Sequence, residues 1–95
     1  MDEILLISAY NEIIKKQPLS RMGYVDMHNL YSEIRNKKGI TLQLFKEWMV
    51  EFFNKYNLNG FEFARATIAR TEVKRYSFII DNNVYYYMVK RMHRC

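Results

Sequence analysis

Cysteine, glycine and proline are scarce in this chain of 95 residues. It contains one cysteine, three glycines and one proline. The single cysteine, Cys95, cannot form a disulfide within the chain, and it excludes any zinc site built from several cysteines. Three glycines are too few for the glycine-rich loop that cradles a phosphate group. Disulfide frameworks, multi-cysteine zinc proteins and P-loop proteins are therefore excluded.

Residues that commonly perform catalysis are also sparse. His28 and His93 lie far apart in the chain, and neither has another ligand type at the helical spacing that would bind zinc. The carboxylates are few and scattered, so no acid/base pair is visible. A catalytic nucleophile needs a positioned base, and Cys95 is terminal. We therefore expect a protein that is not an enzyme, with no cofactor, no metal and no small-molecule substrate.

Long apolar runs are missing. The longest, near the N-terminus, is far shorter than the ~20 residues that span a bilayer. Asp2 and Glu3 occupy positions where a signal peptide would carry positive charge, so we expect a cytoplasmic protein that does not enter a membrane. Apolar residues make up 49% of the chain and aromatic residues 16%, which is enough for a compact core. The length predicts a single domain over residues 1–95.

The charge that is present is positive and unevenly distributed. The net charge is +5, and residues 61–95 contain seven lysines or arginines against three acidic residues. A small basic domain suits a polyanion, chiefly nucleic acid. The alternative is a solvated surface that happens to be basic.

A first helix is predicted between Asp2, which suits its N-cap, and Pro18, which disfavours helical backbone at the preceding residue. Lys15 and Lys16 fall in the last turn, where cations interact favourably with the helix dipole. A broad apolar stripe recurs at helical spacing. It comprises Ile4, Leu5, Leu6, Ile7, Ala9, Tyr10, Ile13 and Ile14. Its breadth predicts burial on more than one side, either in the core or in a homodimer.

Two further helices with a tight break between them are predicted next. Asp26 suits the N-cap of a helix over Met27–Lys37, and the break follows at Lys38-Gly39-Ile40. Thr41 suits the N-cap of a longer helix from Leu42 to about Tyr56. The inward positions of the second helix are Leu30, Tyr31 and Ile34, and those of the third are Phe45, Trp48, Met49, Phe52, Phe53 and Tyr56. This arrangement predicts a helix-turn-helix unit.

Strands are predicted around this unit, giving an α+β fold. Gly23–Val25 is a candidate short strand, and from Phe61 the apolar period changes to two. Residues 77–87 predict a hairpin with its turn at Asn82-Asn83, which pairs Ile80 with Tyr85 and Phe78 with Tyr87. The intervening Thr67–Arg75 is polar and basic and predicts a loop.

The order helix, short strand, helix, helix, strand, basic loop, hairpin, with the capped turn Lys38-Gly39-Ile40-Thr41, resembles the winged helix-turn-helix superfamily. The resemblance covers roughly residues 3–90. It implies three helices followed by a β-hairpin wing, and a small regulator of the kind common in archaea and viruses. Such a protein would bind double-stranded DNA as a homodimer and act on transcription.

By this resemblance, helix 41–56 is the recognition helix that enters the DNA major groove. Its outward side chains suit base edges: amides for adenine, a lysine for guanine or phosphate, a carboxylate for cytosine and an apolar group for the thymine methyl. These residues are Gln43 and Asn54, Lys46, Glu47 and Val50. Thr41, at the helix N-terminus, suits a phosphate.

Cations beside the helix are expected to hold the DNA backbone or insert into the minor groove. They are Lys38 next to the turn and Arg65, Arg70, Lys74 and Arg75 in the basic wing, residues 65–75. Arg35, Lys37 and the basic tail, residues 90–94, are further candidates.

Other interpretations of the same residues stay open. The outward face of the third helix is also explained as the solvated side of a core helix. Glu47 and Glu51 repel phosphate and favour a winged helix that assembles with another protein. Tyr85–Tyr87 would allow stacking of single-stranded bases, although core packing explains these tyrosines more simply. Cys95 would allow a disulfide between two copies.

Overall fold

The computed structural model of the protein describes residues 1–16, 23–56, 60–65 and 71–90, and it confirms the α+β class. These ranges contain four helices and an antiparallel sheet of four strands. In chain order they are α1 (Glu3–Lys16), β1 (Tyr24–Asp26), α2 (Met27–Lys37), α3 (Leu42–Tyr56), β2 (Phe61–Arg65), α4 (Thr71–Tyr76), β3 (Phe78–Ile80) and β4 (Asn83–Lys90).

Helix α1 begins where the sequence predicts, because the Asp2 carboxylate accepts a hydrogen bond from the backbone N–H of Leu5 at 3.1 Å. Most of its broad apolar stripe is accommodated within the monomer. Leu6, Ala9, Tyr10 and Ile13 are buried, while Leu5, Ile7 and Ile14 pack half-buried against the same core. Ile4 is different, with 83% of its surface exposed. The predicted stop at Pro18 lies outside the described residues.

The helix-turn-helix unit has the predicted bounds and caps. Asp26 accepts a hydrogen bond from the backbone N–H of Asn29 at 2.7 Å at the start of α2. Thr41 Oγ1 accepts one from the backbone N–H of Leu44 at 3.1 Å at the start of α3. Each bond satisfies an N–H group that has no partner inside its own helix.

The turn between α2 and α3 is fixed by Tyr31. Its hydroxyl donates to the backbone carbonyl of Ile40 at 3.1 Å, and its ring centre lies 5.2 Å from that of Phe45. The predicted inward residues of both helices are largely confirmed. Buried are Leu30, Tyr31, Ile34, Phe45, Trp48, Met49 and Phe52, while Phe53 and Tyr56 are half-buried.

Strand β4 is the centre of the sheet. Its residue Tyr85 pairs with Arg65 of β2 on one side and with Phe78 of β3 on the other. Strand β1 pairs with the later half of β4, so the order is β1-β4-β2 with β3 also on β4. The predicted short strand near Val25 is confirmed as β1.

The hairpin turn was predicted one residue too late. Asp81 and Asn82, with φ of 49° and 67°, form the turn, so Phe78 pairs with Tyr85 and Ile80 with Asn83. Aspartate tolerates positive φ almost as well as asparagine, so residue type alone does not fix the turn. The observed register places Asn83 at the start of β4 and not in the turn. Its side-chain oxygen accepts a hydrogen bond from Arg65 Nη1 at 3.1 Å.

The basic loop predicted over Thr67–Arg75 is wrong in its second half, because α4 begins at Thr71. Helix α4 therefore adds a fourth helix to the three predicted. Its sequence carries Lys74 and Arg75 in the last turn, as the helix dipole favours. The hydroxyl of Ser77 then donates to the Lys74 carbonyl at 2.9 Å and satisfies one group at the helix end.

Tyr10 links helix α1 to the sheet. Its hydroxyl donates to the Gly23 carbonyl at 2.5 Å and accepts from the backbone N–H of Lys90 at 2.9 Å. Burial raises the pKa of this phenol, while the hydrogen bond from Lys90 opposes the shift. Across the described ranges, no helix is long and apolar enough to cross a membrane.

Candidate nucleic-acid interface

The outward row of α3 is exposed along most of its length. Gln43, Glu47 and Asn54 are exposed, whereas Lys46 and Val50 are half-buried. Residues 43, 47, 50 and 54 follow the three- and four-residue steps of one helix face. The amides and the carboxylate predicted to contact base edges therefore lie on solvent-accessible surface.

Strand β3 packs beside this row and turns it into one wall of a groove. The groove measures about 230 Å³ and is lined by Gln43, Lys46, Glu47 and Val50 of α3 and by Ser77, Phe78 and Ile79 of the opposite wall. Phe78 is buried with its ring centre 6.1 Å from that of Phe53, whereas 63% of the Ile79 surface is exposed.

Ser77 and Ile79 were missed by sequence reasoning as parts of this site. The alternation along β3 indicates that Ile79 points away from Phe78 and Ile80. That signal does not reveal that β3 lies along α3, since the packing joins segments about thirty residues apart in the sequence.

The N-terminal end of α3 is exposed at its cap. Thr41 is exposed, and its hydroxyl oxygen accepts the capping bond, so its hydrogen remains available to donate. Lys38 precedes this end in the chain, but its ammonium lies 5.7 Å from the centre of the buried Trp48 ring, and both side chains line a pocket with residues 1–4 at the start of α1. Thr41 and Gln43 therefore form one end of the predicted interface, and Lys38 is directed toward α1.

The cations predicted for the wing occupy two separate elements. Arg65 ends β2 and donates to Asn83, while Lys74 and Arg75 are exposed in the last turn of α4. The Arg75 guanidinium lies 5.7 Å from the centre of the Tyr76 ring. Arg70 and residues 91–94 lie outside the described residues.

The charges beside α3 are mostly uncompensated. In the described part of the chain, the ion pairs join Glu33 to Lys16 and Lys37, Glu3 to Lys55, and Glu51 to the Met1 amino group. Within those ranges, Lys38, Lys46, Lys74 and Arg75 have no ion-pair partner. These cations remain available to an anionic ligand, and Glu47 is the unpaired acid among them.

The opposite end of α3 is anchored to α1. The Glu3 carboxylate accepts hydrogen bonds from the Lys55 ammonium and from the Tyr56 hydroxyl at 2.5 Å. The hydrogen bond from Lys55, and after it that from Tyr56, lowers the pKa of Glu3, and donating to Glu3 raises the pKa of Lys55. This contact fixes the C-terminal end of the helix that carries the outward row.

No group of three histidine, cysteine, aspartate or glutamate side chains among the described residues could hold a metal ion. Comparison with family models, curated proteins and solved structures finds no match to this chain. The resemblance to winged-helix proteins therefore stays a prediction.

Proposed function

We propose that this protein is a winged helix-turn-helix transcriptional regulator that binds double-stranded DNA. The observation that carries the proposal is the exposed outward row of α3, with Lys46 on its groove side and without an ion-pair partner among the described residues. Lys38, just before the helix, has no ion-pair partner in those ranges either. The observed order from α1 to β2 matches the first five elements of the order on which the winged-helix resemblance depends, while α4 occupies part of the expected basic loop.

In this proposal α3 enters the major groove and reads bases. The amides of Gln43 and Asn54 suit adenine, Lys46 suits guanine, and Glu47 accepts from the cytosine amino group. Val50 and the exposed Ile79 both line the groove, so the Ile79 side chain joins Val50 as a partner for a thymine methyl.

Phosphate contacts would position the helix without reading sequence. Lys38 and Thr41 serve the strand beside the N-terminus of α3, and Lys74 and Arg75 serve the strand beside α4. Each contacted phosphate releases counterions, so the logarithm of affinity falls with the logarithm of salt concentration with a slope of about −0.9 per contact.

The first experiment measures duplex binding by fluorescence anisotropy across a salt series. Lys46→Glu and Lys74→Glu, made as separate variants, are each expected to weaken binding to all sequences and to reduce the salt slope by about one. Lys15→Glu is the matched control, because this exposed lysine at the end of α1 undergoes the same single charge reversal. Binding that ignores salt, or a loss in Lys15→Glu equal to that in the other two variants, would contradict the proposal.

Gln43→Ala tests the reading of bases separately. A lost bidentate amide contact costs about 1–3 kcal/mol of discrimination at one base pair. We therefore expect a changed preference at one position of a selected duplex, with an unchanged salt slope. A uniform loss on every sequence would mean that Gln43 does not read a base.

A second candidate function is assembly with another protein, without DNA binding. The acidic side chains of Glu47 and Glu51 favour it, since both lie exposed on α3 and would repel phosphate. Glu51 is partly neutralised by the Met1 amino group at 3.4 Å. Purification from native lysate with and without nuclease separates the candidates, because a nuclease-resistant partner and no retained DNA would favour assembly.

A homodimer is part of the DNA-binding proposal, and α1 remains its proposed contact. The residues that broaden the α1 stripe pack within the monomer, so Ile4 is the side chain that supports the contact. Met1, 36% exposed, is a further exposed large apolar residue beside the start of α1.

A further inference from the structure

A separate cavity of about 280 Å³ lies where the start of α2 meets the end of α4 and the middle of β4. Its lining side chains are His28, Arg75, Tyr76 and Tyr86. The groove beside α3 shares none of them. Among its lining side chains, Arg75 alone is also a proposed contact with duplex DNA, so those contacts do not account for the histidine and the two tyrosines.

Aromatic rings form the inner walls of the cavity. The ring centres of His28 and Tyr76 are 4.6 Å apart at an angle of 46°, and Tyr86 is only 8% exposed. Tyr76 also lies 6.0 Å from the Tyr31 ring, which belongs to the core. Packing against that core fixes the Tyr76 ring in position.

A positively charged side chain, Arg75, lies over one of these rings. Arg75 is exposed and, within the described ranges, has no acidic partner, while its guanidinium lies 5.7 Å from the Tyr76 ring centre. Among the lining side chains that the structure describes, Arg75 is cationic and none is acidic. These side chains favour a ligand that combines a flat ring with a negative charge.

Stacking on tyrosine and histidine suits any nucleobase, because every base has a π face. An arginine fork suits a phosphate, which it binds through paired N–H groups. The volume lies just below the roughly 300–1,000 Å³ of common ligand pockets, so it suits one such unit and not several. We propose that this cavity binds a single unpaired nucleotide, with its base against His28 and Tyr76 and its phosphate on Arg75.

The unpaired nucleotide has two possible sources, a free nucleoside monophosphate or one unit of a single strand. Paired bases inside a duplex present no free face to the rings, so this site is distinct from the α3 interface. The proposal does not rest on duplex binding, because a mononucleotide contains no duplex.

The test titrates the full chain, labelled with ¹⁵N, with adenosine 5′-monophosphate and separately with ribose 5-phosphate. A parallel arm follows a fluorescent oligothymidylate by anisotropy. Adenosine monophosphate is expected to shift the amide signals of residues 28, 75, 76 and 86 and to bind more tightly than ribose 5-phosphate. Equal binding of the two compounds would overturn the proposal, because the base would then contribute nothing.

Two substitutions and a matched control assign the contacts. Arg75→Gln is expected to weaken nucleotide binding at least about tenfold, and the exposed His28→Ala about tenfold, from lost phosphate and stacking contacts. Lys15→Gln removes the same charge from the exposed end of α1, outside the cavity lining and the proposed DNA contacts, so binding should stay within about twofold. Circular dichroism of each variant verifies folding.

The source of the nucleotide is identified by the titration arm in which Arg75→Gln and His28→Ala weaken binding. Dependence in the mononucleotide arm supports a free nucleotide, and dependence confined to the oligonucleotide arm supports a single strand. Equal losses in Arg75→Gln and Lys15→Gln would show general charge attraction and overturn the site. Absence of binding in both arms would overturn it as well.

Discussion

At the scale of single residues, the Tyr10 hydroxyl is the group whose removal is most informative about the fold. It joins α1, the Gly23 backbone and β4 through one donated and one accepted hydrogen bond. Tyr10→Phe leaves the Gly23 carbonyl and the Lys90 N–H without this partner. We expect a loss of about 1–3 kcal/mol in the free energy of unfolding, measured by urea denaturation.

Tyr24→Phe provides the control for that substitution. Tyr24 is 43% exposed and meets Tyr87 edge-to-face, a ring contact that phenylalanine retains. Its hydroxyl makes no hydrogen bond within the described ranges, so we expect a change within about 0.5 kcal/mol. Equal effects of the two substitutions would show that the Tyr10 hydroxyl contributes nothing specific.

At the scale of elements, the anchoring of α3 to α1 predicts a pH dependence. Hydrogen bonds from Lys55 and Tyr56 lower the pKa of Glu3 from its usual 4.5. A lowered carboxyl pKa stabilises the folded state above that value, and this contribution is lost as the pH falls through the folded pKa. The stability advantage of the natural protein over Glu3→Gln should therefore be full near neutral pH and should disappear in acid.

Urea denaturation at several pH values below neutrality measures this difference. Glu12→Gln is the control on the same helix, because Glu12 has no ion pair or hydrogen bond among the described residues. Its effect should not depend on pH in this way. A difference between the natural protein and Glu3→Gln that stays constant down to strong acid would show that the Glu3 contact does not persist in solution.

Some helices and turns could be predicted from the sequence, and others could not. Helices α2 and α3 were predictable to the residue, because Asp26 and Thr41 cap them and their apolar residues recur at helical spacing. Helix α4 could not be predicted, since its six residues have no strong apolar period and resemble a polar loop. The hairpin turn was displaced because residues 81, 82 and 83 all tolerate positive φ.

The candidate site was predictable in the same uneven way. The outward row of α3 follows from periodicity, so Gln43, Glu47 and Asn54 were found. Its opposite wall, with Ser77 and Ile79, depends on how β3 packs against a distant helix. The nucleotide cavity likewise joins α2, α4 and β4, and no local pattern relates His28 to Tyr86.

At the scale of the whole molecule, Ile4 and Ile79 are two exposed apolar side chains with separate proposed purposes. Ile4 is 83% exposed at the start of α1, and Ile79 is 63% exposed at the groove beside α3. The first is proposed to contact a second copy of the chain, and the second to contact DNA. A charge at position 4 should disturb dimer formation, and a charge at position 79 should disturb DNA binding. Each substitution therefore serves as the control for the other.

Ile4→Glu is expected to convert a dimer into a monomer, because burying an unpaired carboxylate in an apolar contact is strongly unfavourable. Sedimentation velocity over a range of protein concentrations measures the change, and Ile79→Glu should leave the mass unaltered.

The affinity for DNA should depend on the other residue. On a duplex that contains a single half-site, Ile79→Glu should bind more weakly than the natural protein, and Ile4→Glu should bind as tightly as the natural protein. Paired half-sites should then bind the natural protein more tightly than Ile4→Glu, since only a dimer contacts both together. If the natural protein sediments as a monomer at every concentration and gains nothing from a second half-site, α1 is not a dimer contact.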